Sequence, residues 1–136
     1  EELEGHHLLT EDLSEAGRAT LLQHAMVIRC RPGEVLIAEN DTGTAFGFVR
    51  RGMVKVVIGG KTVVHLGRGD IFGEIAYILH SKRTAQVVAA APETEVVLFR
   101  EAALTELQQE SDRTVIWRNL ARVLAQRVIL TNKLLD

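Results

Sequence analysis

Residues 71–87, IFGEIAYILHSKRTAQV, place chemistry-bearing residues inside an apolar run: Gly73 followed by Glu74 and, nine residues past that glutamate, Arg83 followed by Thr84 and Ala85. Gly67 and Gly69 mark a turn, Ile71-Phe72 a brief extended step, and 73–79 can form one or two turns of helix. The backbone N–H groups that open such a helix are unpaired and point outward, and Gly73 lets a ligand approach the chain closely. A phosphate fits there. Arg83 supplies a planar, permanently charged fork for two phosphate oxygens, and Glu74 supplies acceptors for a pair of sugar hydroxyls. The ligand so described carries one anionic phosphate and a ribose. The same residues also fit a plain ion pair between Glu74 and Arg83, although a surface pair contributes only ~0–1 kcal/mol, a weak reason to embed two charges in apolar sequence. On residue types alone both readings stand.

The elements that must position these residues follow from the rest of the chain. Residues 10–25 begin with a capping-type Thr10 and acidic residues, then carry Leu13, Ala16, Leu21, Leu22 and Ala25 near helical spacing, which predicts an N-terminal helix. From 26 to 100 the texture changes to short Val/Ile-rich runs cut by glycine: MVIRC, VLIAE, AFGFVR, GMVKVVI, KTVVHL, TAQVVAA and TEVVLFR. Arg31-Pro32-Gly33-Glu34 suits a type II turn, and Gly59-Gly60 a two-residue hairpin loop. The expected architecture is mainly β, a sandwich or roll with its core between two sheets. After Arg100, EAALTELQQE reads as a short helix, and 111–136 as a longer one capped by Ser111 or Asp112.

In that last helix Ile116, Leu120, Val123, Arg127, Leu130 and Leu134 step by alternating fours and threes, a heptad seam with one arginine in it. Leu124, Val128, Thr131 and Leu135 form a second stripe. Both stripes could cap the roll, but a sustained heptad is more than a single packing face requires, so one is expected on the roll and the other on a second copy of the chain, with Leu120→Glu expected to break the dimer. The division expected is a terminal linker over 1–9, a roll with flanking helices over 10–110, and a signalling and dimerisation helix over 111–136.

Bulk properties narrow the function. The 136 residues, 46% of them hydrophobic, are enough for one domain with a real core. Sixteen Lys and Arg against eighteen Asp and Glu give a net charge of −2, so no basic field of the kind that binds nucleic acid is present and no direct nucleic-acid contact is expected. Cys30 is the only cysteine, which excludes an internal disulfide and fits a reducing, cytoplasmic compartment. No apolar run approaches the roughly 20 residues of a membrane span, so membrane insertion is not expected. The chain opens at Glu1-Glu2 rather than at Met, as a piece cut from a longer protein would.

FGEIAYILHSKRTA closely resembles the phosphate-binding cassette of the cyclic nucleotide-binding domain family: Phe-Gly-Glu, a small or apolar pair, a short loop, then Arg, a hydroxyl or small residue, and Ala. RPGEVLIAEND is similar to the family's early strand pair, GFVRRGMVKVVI to its next hairpin, and LGRGDIFGE to the approach to the cassette, so the likeness runs over about residues 10–135. The resemblance implies a double-stranded β-helix flanked by helices, and cAMP or cGMP as ligand, with no other cofactor. Carried over residue by residue, it implies that Glu74 holds the ribose 2′-hydroxyl and Arg83 the cyclic phosphate. The cassette from Phe72 through Gly73 and Ile75 or Ala76, with the Ala85 N–H, would line the phosphate site, and Thr84 would touch phosphate or purine. Thr131-Asn132 lie where catabolite-activator-type members reach the adenine. In the turn ENDTG, Asn40 stands where the family usually has glycine, a position Asn fills because it tolerates left-handed geometry.

The other chemistry-bearing residues suggest less. Arg68-Gly69-Asp70 reads as a Gly-rich turn. The five histidines, His6, His7, His24, His65 and His80, include no His-x-His pair of the kind metal-binding jelly rolls use, so no metal is expected. No Ser/His/Asp or Cys/His set has a recognisable spacing, so no catalytic residues are expected and the chain is not read as an enzyme. The function expected is therefore a regulatory sensor that binds a cyclic nucleotide and relays occupancy through its last helix to an attached effector or partner. That parent could be a transporter, a channel or a transcription regulator. The alternative is a ligand-silent domain of the same fold that serves dimerisation or docking.

Overall fold

The computed structural model describes residues 7–38, 45–73, 82–83, 85–100 and 102–135, with the side chains of these except 7–8 and 129–135. Among them, helices α1 (His7–Thr10) and α2 (Glu15–Gln23) lead into eight strands: β1 (Ala25–Cys30), β2 (Val35–Ile37), β3 (Phe46–Arg51), β4 (Met53–Ile58), β5 (Lys61–Gly67), β6 (Ile71–Phe72), β7 (Gln86–Ala89) and β8 (Thr94–Phe99). A one-turn helix α3 (Ala102–Thr105) and the long helix α4 (Glu110–Leu135) follow. The strands form two four-stranded sheets, ordered β1-β8-β3-β6 (sheet A) and β2-β7-β4-β5 (sheet B), with antiparallel pairing throughout. Sheet neighbours far apart in sequence, such as β1 with β8 and β2 with β7, wind the chain into the expected β-roll.

The turns obey their residues. Glu34 N–H donates to the Arg31 carbonyl at 3.0 Å, with Gly33 at φ 92° as a type II turn requires. Gly59 and Gly60 both have positive φ between the paired Ile58 and Lys61, the geometry of a tight hairpin. Arg68-Gly69-Asp70 is a turn in which Gly67 N–H donates to the Asp70 carboxylate at 2.9 Å.

The core departs from the expectation of a single layer between the sheets. Cys30, Val49, Val54, Phe72, Val87 and Val96 fill that space, but a larger cluster lies on the outer face of sheet A, where Phe46, Phe48, Ile71, Val97 and Phe99 meet Leu9, Leu13, Leu21, Leu107, Ile116, Leu120 and Val123. The cause is strand alternation: β3 and β8 send successive side chains to opposite faces, and helices cover the second face. Phe99 stacks obliquely on Phe46 and Phe48, with ring centroids 5.3 and 6.0 Å away.

The N-terminal helix also differs. The chain breaks at Asp12, which has φ 67°, so α1 ends at Thr10 and α2 starts afresh with Ser14, not Thr10, as its cap. Helix α1 starts at His7, within the stretch expected to be linker, and Leu9 is buried in the helix-side core. Helix α4 begins at Glu110, ahead of both expected caps. Asp112 instead reaches across to α2, accepting from Ser14 N–H at 3.0 Å and Ser14 Oγ at 2.5 Å. Gly17 leaves the room this needs, since a Cβ there would lie 2.7 Å from the Asp112 carboxylate. Buried Asn119 donates to the Leu9 and Glu11 carbonyls, which ties the N-terminal segment to α4.

Candidate functional site

Strand β6 pairs with β3 through Gly47↔Phe72 and Phe48↔Ile71, which fixes the point where the chain leaves sheet A. Phe72 turns its ring into the core between the sheets, so it supports the site from behind. Gly73 follows with φ 80°, a conformation that side chains strain to adopt. Arg83 is only 6% exposed and donates from Nη1 to the Gly73 carbonyl at 2.7 Å and from Nη2 to the Ala45 carbonyl. A guanidinium is a planar fork of N–H donors, and these two bonds help to fix its plane. The glycine has a further use: a Cβ at 73 would lie 2.9 Å from Arg83 Nη1 and 3.1 Å from Ile37 Cδ1, so Gly73 makes room first of all for the arginine itself.

The structure thus brings Gly73 and Arg83 together, with Ala85 half-buried just beyond at the start of β7. Glu74, Ile75, Ala76 and Thr84, the short helix expected over 74–79 and the Asn40 turn lie outside the described residues. Thr131 and Asn132 fall within α4, but their side chains lie outside the description, as do those of Leu130, Leu134 and Leu135. Two participants were not anticipated. Ala45, whose carbonyl holds Arg83, is 38 residues away in sequence and carries no signal of its own. Arg127 donates from α4 to the Ile71 carbonyl, two residues before Gly73. Its signal was the charge interrupting the heptad seam, which reads as a polar contact with the strand leading into the site.

The apolar residues of α4 divide between the roll and solvent. Ile116, Leu120 and Val123 are buried against the roll, Leu124 is half-buried, and Trp117 and Val128 are exposed at 44% and 59%. Cys30 lies in the core between the sheets, where burial and the nearby Glu34 carboxylate push its thiol above the usual range and keep it neutral. Among the described residues no group of three or more His, Cys, Asp or Glu is placed to hold a metal, and no helix is long and apolar enough to cross a membrane.

The described residues thus form a β-roll with a buried arginine beside a left-handed glycine, followed by a long helix. The family model described as the cyclic nucleotide-binding domain matches residues 27–111, and the chain belongs to that family. It is 37% identical over 84 residues to a cGMP-dependent protein kinase of Eimeria tenella, covering 62% of this chain and 8% of the kinase. It is 32% identical over 108 residues to a cAMP-dependent protein kinase regulatory subunit of Yarrowia lipolytica, covering 76% of this chain and 29% of that subunit. Among solved structures, the Thermus thermophilus catabolite activator protein matches with a TM-score of 0.75 at 25% identity, covering 95% of this chain and 62% of that one. The chain therefore spans less than a third of the length of either kinase protein.

Proposed function

We propose that the chain is a regulatory sensor module that binds cAMP or cGMP in the cassette around Arg83 and relays occupancy through α4. The observation that carries this reading is the buried Arg83 guanidinium, fixed in plane by the Gly73 and Ala45 carbonyls at the end of β6, inside the segment that matches the family. In this reading Arg83 takes the cyclic phosphate and Glu74 the ribose 2′-hydroxyl. Gly73, Ile75 or Ala76 and the Ala85 N–H complete the phosphate site over Phe72, Thr84 touches phosphate or purine, and Thr131 and Asn132 meet the base. Residues 10–110 act as the binding unit and 111–136 as the signalling helix, in a cytoplasmic protein whose effector is a separate domain or partner. The module itself carries no catalysis. Arg127 supports the relay, because its bond to the Ile71 carbonyl joins α4 to the strand that delivers Gly73. A ligand must favour one placement of α4 over another to signal through it.

Trp117, Leu124 and Val128 favour a homodimer through α4, since they form an apolar stripe beside the buried seam of Ile116, Leu120 and Val123, with Trp117 and Val128 exposed. Leu120, expected to test that dimer, is buried against the roll, so a charge there would test folding instead. Val128→Glu is the informative variant, and sedimentation should show it shifted to monomer; a wild-type chain that sediments as monomer would rule the dimer out.

The test of binding is calorimetric titration with cAMP and with cGMP after unfolding and refolding to strip any carried-over nucleotide. The reading predicts micromolar or tighter binding of at least one, about −8 kcal/mol. No heat from a demonstrably folded sample would leave the ligand-silent docking module as the better account.

A further inference from the structure

The helices cover only part of the outer face of sheet A. Phe46, Phe48, Val97 and Phe99 lie beneath them. Farther along the same face Val27 is exposed, and Arg29, Glu95 and Arg51 stand opposite one another across β1, β8 and β3. The register of β3 against β8 shifts between Val49 and Arg51, and this irregularity brings Arg50 to the same carboxylate. Glu95, 7% exposed, lies 3.3 Å from Arg51, 3.7 Å from Arg29 and 3.9 Å from Arg50. Three guanidiniums share one carboxylate, which leaves two positive charges over, in a chain whose net charge is −2.

Neutralising Glu95 does not require three partners. The side chains of Arg29 and Arg51 are 87% and 63% exposed, so the carboxylate holds their guanidiniums at its edge and leaves most of each facing water. We propose that this open face of sheet A is a docking surface for an acidic segment of a partner protein, with Arg29, Arg50 and Arg51 taking its carboxylates and Val27 an adjoining apolar group. Carboxylate is the chemistry these arginines already hold, in Glu95. A surplus of two charges in one row across three strands matches two carboxylates better than the run of phosphates that gives nucleic-acid binding its affinity. The surface is separate from the Arg83 site and does not depend on nucleotide binding there.

The test is fluorescence anisotropy of a labelled hexaglutamate peptide with the full chain, at low and at physiological salt. Saturable binding is expected that weakens with salt, falls about tenfold or more in Arg29→Ala/Arg51→Ala, and tightens in Glu95→Gln, which frees the arginines from their internal competitor. If Glu95→Gln does not fold, the solvent-exposed Arg29→Ala and Arg51→Ala variants still decide the matter. Unchanged nucleotide titration in the arginine variants would separate this surface from the Arg83 site. Absence of peptide binding at low salt, binding indifferent to the arginine variants, or tighter binding of a single-stranded oligonucleotide than of hexaglutamate would each overturn the proposal.

Discussion

Arg83 and the Arg29–Arg50–Arg51 cluster are two arginine sites on one roll, and they are built on opposite principles. Arg83 is buried, and backbone carbonyls of Gly73 and Ala45 set its plane, so the fold itself presets it. The cluster gathers at 3.3–3.9 Å around the side chain of Glu95, with Arg29 and Arg51 mostly in water. A fork fixed by the main chain can demand one ligand geometry, because little remains to be ordered when the ligand arrives. Long exposed side chains can follow a partner whose shape varies, at the cost of side-chain entropy and sensitivity to salt.

The comparison breaks first at Gly73. Gly73→Ala forces a side chain into φ 80° and brings its Cβ to 2.9 Å from Arg83 Nη1, so it should cost about 1–3 kcal/mol of stability and weaken nucleotide binding together. Denaturant unfolding and calorimetry on the same sample check both. If stability falls while affinity holds, the carbonyl of Gly73 does not set the fork.

Salt sharpens the contrast. Arg29→Ala/Arg51→Ala should change stability by no more than about 1 kcal/mol, and the change should shrink in molar salt, because both arginines lie mostly in water and Arg50 stays beside Glu95. Thermal unfolding across a salt series would show it, and a loss that salt leaves untouched would mean the cluster is a structural part of the sheet.

The smallest expected effect is alkaline. The Cys30 thiol is raised in the folded chain by burial and then by Glu34, so its neutral form is favoured on folding. That contribution is fully present below its ordinary value of 9.0 and is lost as pH rises through the folded value. Cys30→Ala should remove this part of the alkaline decline in Tm; an identical decline with and without the thiol would assign it elsewhere.

Much of this was legible beforehand, for reasons that can be named. The glycine-bounded Val/Ile runs mark β1, β3, β4, β5 and β8 to within a residue or two, because turns with positive φ need glycine at fixed places, as at Gly33, Gly59 and Gly60. Glu74 and Arg83 stood out because charges in apolar sequence need a reason, and Gly73 because it lets a ligand approach the chain closely. Contacts between distant residues were not legible. Nothing local says that Ala45 holds Arg83, that Asp112 serves α2 rather than its own helix, or that an irregular register turns Arg50 and Arg51 toward the same carboxylate. The double-sided core was hidden for a related reason: when both faces of a strand are covered, the alternation that would reveal a face disappears.

The most direct measurement is the affinity of Arg83→Ala for the preferred nucleotide beside that of the wild-type chain, with folding verified by circular dichroism. Loss of a charge-matched fork in a site this buried should weaken binding by about 2–5 kcal/mol, more than tenfold in Kd. An Arg83→Ala chain that folds and binds as tightly as the wild type would contradict the assignment of this cassette.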